Sequence, residues 1–100
     1  MAEQKIIWTP QAKNELKESL EYYIKRNGNP KYSSWLFSEI QRRIQLLKKF
    51  PELGHPGIND RARILPFINY GIIYEKINSS IVILSFWDFR RNPNNRIDIK

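Results

Sequence analysis

Five arginines carry most of the chemistry this chain could do: Arg61, Arg63, Arg90, Arg91 and Arg96. A guanidinium keeps its charge in any protein environment, and its planar fork grips phosphate or carboxylate. Arg61 and Arg63 alternate along one β-like run, so both face the same side of a sheet. Arg90 and Arg91 close a second run, "SIVILSFWDFRR", and Arg96 follows them. Gathered by one sheet, they would make an anion site suited to a phosphodiester or to Asp and Glu side chains. Arginines at strand ends also keep a sheet edge soluble. Residue types alone leave both readings open.

Other chemistry is thinner. His55 is the only histidine and the only side chain that titrates near neutrality unaided. It sits in the Pro/Gly stretch "PELGHPGIND" with no sequence-adjacent acid to orient it, and reads as a loop residue. Ser33, Ser34, Ser79, Ser80 and Ser85 fit a helix start, a turn and a strand, and none has the G-x-S-x-G setting of a nucleophile. No glycine-rich phosphate loop is present. Glu15 and Glu18 are interleaved with Lys13 and Lys17, the pattern of a solvated helix face. With one histidine and no cysteine, disulfides and thiolate chemistry are excluded, and neither a metal nor a cofactor is expected. Tyr22, Tyr23, Tyr70 and Tyr74 could stack bases, but their spacing favours a core. Tyr23 falls in a helical stripe, and Tyr70 and Tyr74 flank Ile72 on one strand face.

The elements that must position these residues follow from pattern. The strand-like "KIIW" covers Lys5 to Trp8. Thr9 suits a helix cap and Pro10 the first helical position. Ala12, Leu16, Leu20, Tyr23 and Ile24 form the stripe of a first helix, which Asn27 or Gly28 ends. A second helix is predicted from Pro30 to Lys49, with Leu36, Ile40, Ile44 and Leu47 on its buried face. So short a turn makes the two an antiparallel hairpin. After the loop at 51–60 come three β-like runs, "RARILPFI", "YGIIYEKI" and "SIVILSFW". "NSS" suits a hairpin turn between the last two. Pro66 marks the first run as an edge or bulged strand. The third, almost continuously apolar, reads as a central strand buried on both faces. The class is α+β: N-terminal strand, helical hairpin, then antiparallel β-meander.

Length and composition agree. One hundred residues suit a single domain, 1–100, and 41% hydrophobic with 13% aromatic residues supply one modest core. The net charge of +7 favours acidic partners. No apolar run reaches the ~20 residues of a membrane span, and "MAEQKIIW" lacks the layout of a signal peptide. A cytoplasmic protein without a membrane partner is expected.

The order strand–helix–helix–meander, with four passages in sequence, resembles the ParE/RelE superfamily of bacterial type II toxin–antitoxin toxins. The passages are "IIWTPQAKNELKESLEYY", "KKFPELGHPG", "RILPFINYGIIYEKI" and "SIVILSFWDFRRNP". Two branches carry different implications. The RelE-like branch implies a ribosome-dependent messenger RNA endoribonuclease, with Arg63, Arg90 and Arg91 matching its basic residues. That branch also implies a tyrosine after the terminal arginine, whereas "NPNNRIDIK" has none. Arginine does not replace it as a proton acceptor, because it does not give up its charge. The ParE-like branch is the better match, through "FPELGHPG" and the missing tyrosine. It implies a plasmid-stabilisation type of toxin that inhibits DNA gyrase by protein contact rather than catalysis. Both branches imply a cognate acidic antitoxin. The contacts with antitoxin or target would fall to Arg61, Arg63, Arg90, Arg91 and Arg96.

Overall fold

A computed structural model describes residues 4–57 and 61–90. Their elements are β1 (Lys5–Trp8), α1 (Pro10–Asn27), α2 (Lys31–Lys49), β2 (His55–Pro56), β3 (Ala62–Phe67), β4 (Tyr70–Ile77) and β5 (Ser80–Asp88). One five-stranded sheet runs β1-β5-β4-β3-β2. β1 lies parallel to β5, and the other pairs are antiparallel. This is the α+β order expected from the sequence.

The helix signals act as read. Thr9 Oγ1 accepts the Ala12 N–H at 3.1 Å and donates to the Ile83 carbonyl at 2.9 Å. One side chain thus caps α1 and ties its start to β5. Gly28 closes α1 with φ 75°, its N–H bonded to Ile24 O at 2.9 Å. The two helices are pinned by Ser33 Oγ donating to Leu20 O at 2.6 Å.

Both helices cover one face of the sheet. Ala12, Leu16, Tyr23, Leu36, Ile40, Ile44 and Leu47 meet Leu65, Phe67, Tyr70, Ile72, Tyr74, Ile81, Ile83 and Phe86. Leu36, Ile40, Ile44 and Leu47 are at most 1% exposed, and each such side chain stabilises the fold by about 1.5–3 kcal/mol.

Three features depart from the sequence reading. First, the loop at 51–60 contains the short β2, which pairs His55 with Ile64 and Pro56 with Arg63. Second, β5 is interior as expected, but only its helix-facing side is fully buried, and Val82, Leu84 and Trp87 keep partial exposure. Its apolar run has a further cause. Ile73 pairs with Ser85 and Tyr74 with Ile83, so Leu84 is an extra bulge residue. The bulge changes the inside–outside alternation, so Ile81 and Ile83 are followed on the buried face by Phe86 and Asp88. Glu15 of α1 latches it, its Oε1 accepting from Ser85 Oγ at 2.7 Å and Phe86 N at 3.0 Å. Third, β3 ends at Phe67, and Ile68 lies in the turn. Among the described residues no helix is long and apolar enough to cross a membrane.

Candidate functional site

The last rungs of the sheet set Arg90 in place. Asp88 ends β5 opposite Tyr70, and Phe89 N donates to Asn69 O at 2.8 Å. Arg90 therefore emerges where β4 begins, beside the end of α1 and the start of α2. Three tyrosines from those elements surround its guanidinium. The ring centroids of Tyr23, Tyr32 and Tyr70 lie 5.0, 5.6 and 5.3 Å from its central carbon, within cation–π range. Arg90 Nη2 also donates to the Tyr32 hydroxyl at 2.6 Å and to the Tyr70 hydroxyl. Those two hydroxyls are 2.7 Å apart and hydrogen-bonded.

Beneath this cage lies buried Asp88. Its Oδ2 accepts from Tyr23 OH at 2.8 Å and its Oδ1 from Arg90 N at 3.0 Å. One carboxylate thus orients both a cage ring and the backbone of the caged residue. The outer side opens into a cleft of about 190 Å³ lined by Tyr23, Arg26, Asn27, Tyr32 and Arg90.

The electrostatics fix the protonation states. Burial pushes the Tyr70 hydroxyl well above its ordinary pKa, and the bonds to Tyr32 and Tyr23 add to this. Burial and then the Asp88 carboxylate raise Tyr23. Burial opposes the charge on Arg90, but Tyr32 and Tyr70 outweigh it and raise its pKa. Tyr23 and Tyr70 thus stay protonated hydroxyls near neutral pH while Arg90 stays a cation. The cage thus presents a fixed cation beside two protonated hydroxyls, and its one carboxylate, Asp88, is buried and engaged by Tyr23 and the Arg90 backbone.

Arg63 is employed elsewhere. Its Nη1 donates to Gly54 O at 2.7 Å and Glu52 O at 3.4 Å. Tyr74 OH, opposite it on β4, accepts from Gly54 N at 2.7 Å and donates to Pro51 O at 2.9 Å. A Cβ at Gly54 would lie 2.8 Å from Ile64 O and from the Tyr74 ring, so this packing requires glycine. Arg63 and Tyr74 hold the loop after α2 against the sheet. Because Arg63 pairs with Tyr74, while Tyr70 stands beside Arg90, about 13 Å of strand separates the two arginines. The sheet does not gather them into one site. Arg61 is exposed just before β3, and His55 is exposed on the far edge strand. Arg91 and Arg96 lie outside the described residues.

Residues 6–93 match the family model of the ParE toxin of type II toxin–antitoxin systems, parDE. The chain belongs to the ParE toxin family. A solved structure described as a chromosomal ParDE toxin–antitoxin system from P. aeruginosa has a similar fold. Its TM-score is 0.75 at 18% identity, over 85% of this chain and 95% of that one. No curated protein matches the sequence closely. The resemblance read from four passages is thereby shown, including its ParE-like branch.

For a ParE-family chain read by residue type, the cage was only half visible. Arg90 stood out, but Arg26, Tyr32 and Asp88 did not. Tyr23 and Tyr70 read as core, and they are core: at 2% and 0% exposure they pack with the helices and the sheet. The available signal was their hydroxyls. A buried tyrosine normally finds a polar partner, so three tyrosines converging from separate elements imply a polar centre.

Proposed function

We propose that this ParE-family toxin acts by binding rather than by catalysis. It engages DNA gyrase through protein contact and is neutralised by a cognate acidic antitoxin, in the cytoplasm. The observation that carries this reading is the Arg90 cage, a fixed cation beside the Tyr23 and Tyr70 hydroxyls, which burial holds protonated, a setting that favours anion binding over proton transfer. The net charge of +7 supports an acidic partner. Arg90, with Arg61, Arg91 and Arg96 of the same basic set, supplies the proposed contacts. Arg63 contributes by keeping the loop at 51–54 in shape.

The test is gyrase supercoiling with purified protein, run beside a ribosome-dependent cleavage assay. Supercoiling is expected to stall while messages stay intact, and Arg90→Ala should weaken inhibition at least tenfold, the size of effect expected for a charged anchor. Untouched supercoiling together with codon-linked cuts in ribosome-bound messages would replace this reading with a RelE-like endoribonuclease.

A further inference from the structure

Two hairpin turns of the sheet use the same backbone device. Phe67 pairs with Tyr70 across Ile68 and Asn69. Ile77 pairs with Ser80 across Asn78 and Ser79. In each the first loop residue has φ 56°. Asparagine accepts that conformation readily, whereas a β-branched side chain crowds its own backbone there. Ile68 gains no burial in exchange, for it is 60% exposed. The fold solves the same problem with Asn78 at the other end of β4. Strain kept without a local structural return points to use of the surface that carries it.

The surroundings narrow that use. Ile68 and Arg90 sit one residue to either side of the hydrogen bond from Phe89 N to Asn69 O. Trp35, 45% exposed, packs on Tyr32 of the cage and on Phe67 at the turn, with ring centroids 5.7 and 6.3 Å apart. Arg43 lies over Phe67, 4.2 Å from its centroid, and Arg26 shares the cleft with Arg90. Of the acids nearby, Glu39 is bridged to Arg42 at 2.6 Å, and Asp88 is buried under the cage. This end of the sheet therefore joins exposed apolar side chains to a surplus of positive charge.

We propose that the Ile68 turn, Trp35 and the Arg90 cleft form one docking surface for an acidic segment of the antitoxin. The segment sets a bulky apolar side chain against Ile68 and Trp35 and a carboxylate against Arg90 and Arg26. This rests on the reading of the chain as a toxin neutralised by an acidic partner. A nucleic acid would use the cations and stack on Trp35, but a strained aliphatic Ile68 offers it nothing. A second copy of the chain would bring +7 against +7.

The decisive variant is Ile68→Asn, because the two effects expected of it have opposite signs. Relief of the turn should raise Tm by about 4 °C, while affinity for the antitoxin falls at least tenfold. The probe is the purified product of the reading frame adjacent to this chain's own, titrated calorimetrically. Ile68→Gly should behave alike, and Arg90→Lys should also lose affinity, because it keeps the charge and removes the fork. Ile68→Asn that is more stable and binds the antitoxin as before would overturn the docking surface alone. So would a lower Tm, which would make Ile68 a structural residue, or a loss of RNA binding in place of antitoxin binding. An unchanged chain that fails to bind that protein would sink the antitoxin reading itself, and the docking surface with it.

Discussion

Tyr23, Tyr70 and Tyr74 carry hydroxyls at positions where phenylalanine would fill nearly the same space. Each hydroxyl has a partner: Asp88 for Tyr23, Tyr32 and Arg90 for Tyr70, Pro51 and Gly54 for Tyr74. Burial is the main cause raising all three above the ordinary tyrosine pKa of 10.0. The sign of the pH effect follows. In the unfolded chain these groups ionise near pH 10, whereas in the folded chain they keep their protons to higher pH. Above pH 10 the unfolded state binds fewer protons, so stability is full below that pH and falls as pH rises. Each group contributes a slope of up to about 1.4 kcal/mol per pH unit. Urea unfolding at pH 8, 10 and 11 should show the decline, and Tyr70→Phe should make it shallower. A wild-type midpoint that stays level through pH 11 would show that the hydroxyls are not held protonated. The sequence signals this only through tyrosine at core positions, and the partners themselves come from elements far apart in the chain.

At the scale of elements, legibility tracked the range of the interaction that decides each feature. Both helices were legible because period, cap and stop are local: Thr9, Pro10, the stripe from Ala12 to Ile24, and Gly28. Gly28 gives the cleanest local test. A Cβ there would meet nothing within 4 Å, yet φ is +75°, so Gly28→Ala pays only for backbone conformation. Its expected cost is about 1 kcal/mol, read as a lower urea midpoint with an unchanged slope. A neutral substitution would mean that the α1–α2 turn relaxes instead. The illegible features depend on distant partners. The bulge at Leu84 rests on Glu15, some 70 positions away, and β2 on two residues pairing with β3. The β-branched run predicts strand as far as Ile68, but the pairing of Phe67 with Tyr70 makes it a turn residue. The candidate site divides in the same way. Arg90 was legible by type and position. Its cage assembles from α1, α2 and β4 and could not be read until those elements were in contact.

Over the whole molecule, charge and shape should act on different steps of association. A chain of net charge +7 attracts an acidic partner over distances set by the Debye length, about 10 Å at 0.1 M salt and 3 Å at 1 M. That attraction governs encounter. On the proposed reading the caged guanidinium acts after encounter, because its hydrogen bonds and ring contacts are already made and it would lose little freedom on binding. Raising salt from 0.05 to 0.5 M should therefore slow antitoxin association about tenfold or more and change dissociation little. Arg90→Ala removes one charge of seventeen basic side chains, so it should barely alter the on-rate and mainly speed dissociation. Arg61→Ala, at an exposed position outside the cage, should speed dissociation less than Arg90→Ala does, as a rim contact rather than a fixed anchor. Stopped-flow association with dissociation by dilution separates the two steps. An on-rate indifferent to salt would remove net charge from the account of recognition. Arg90→Ala slowing association without affecting dissociation would reduce the cage from an anchor to one more surface charge.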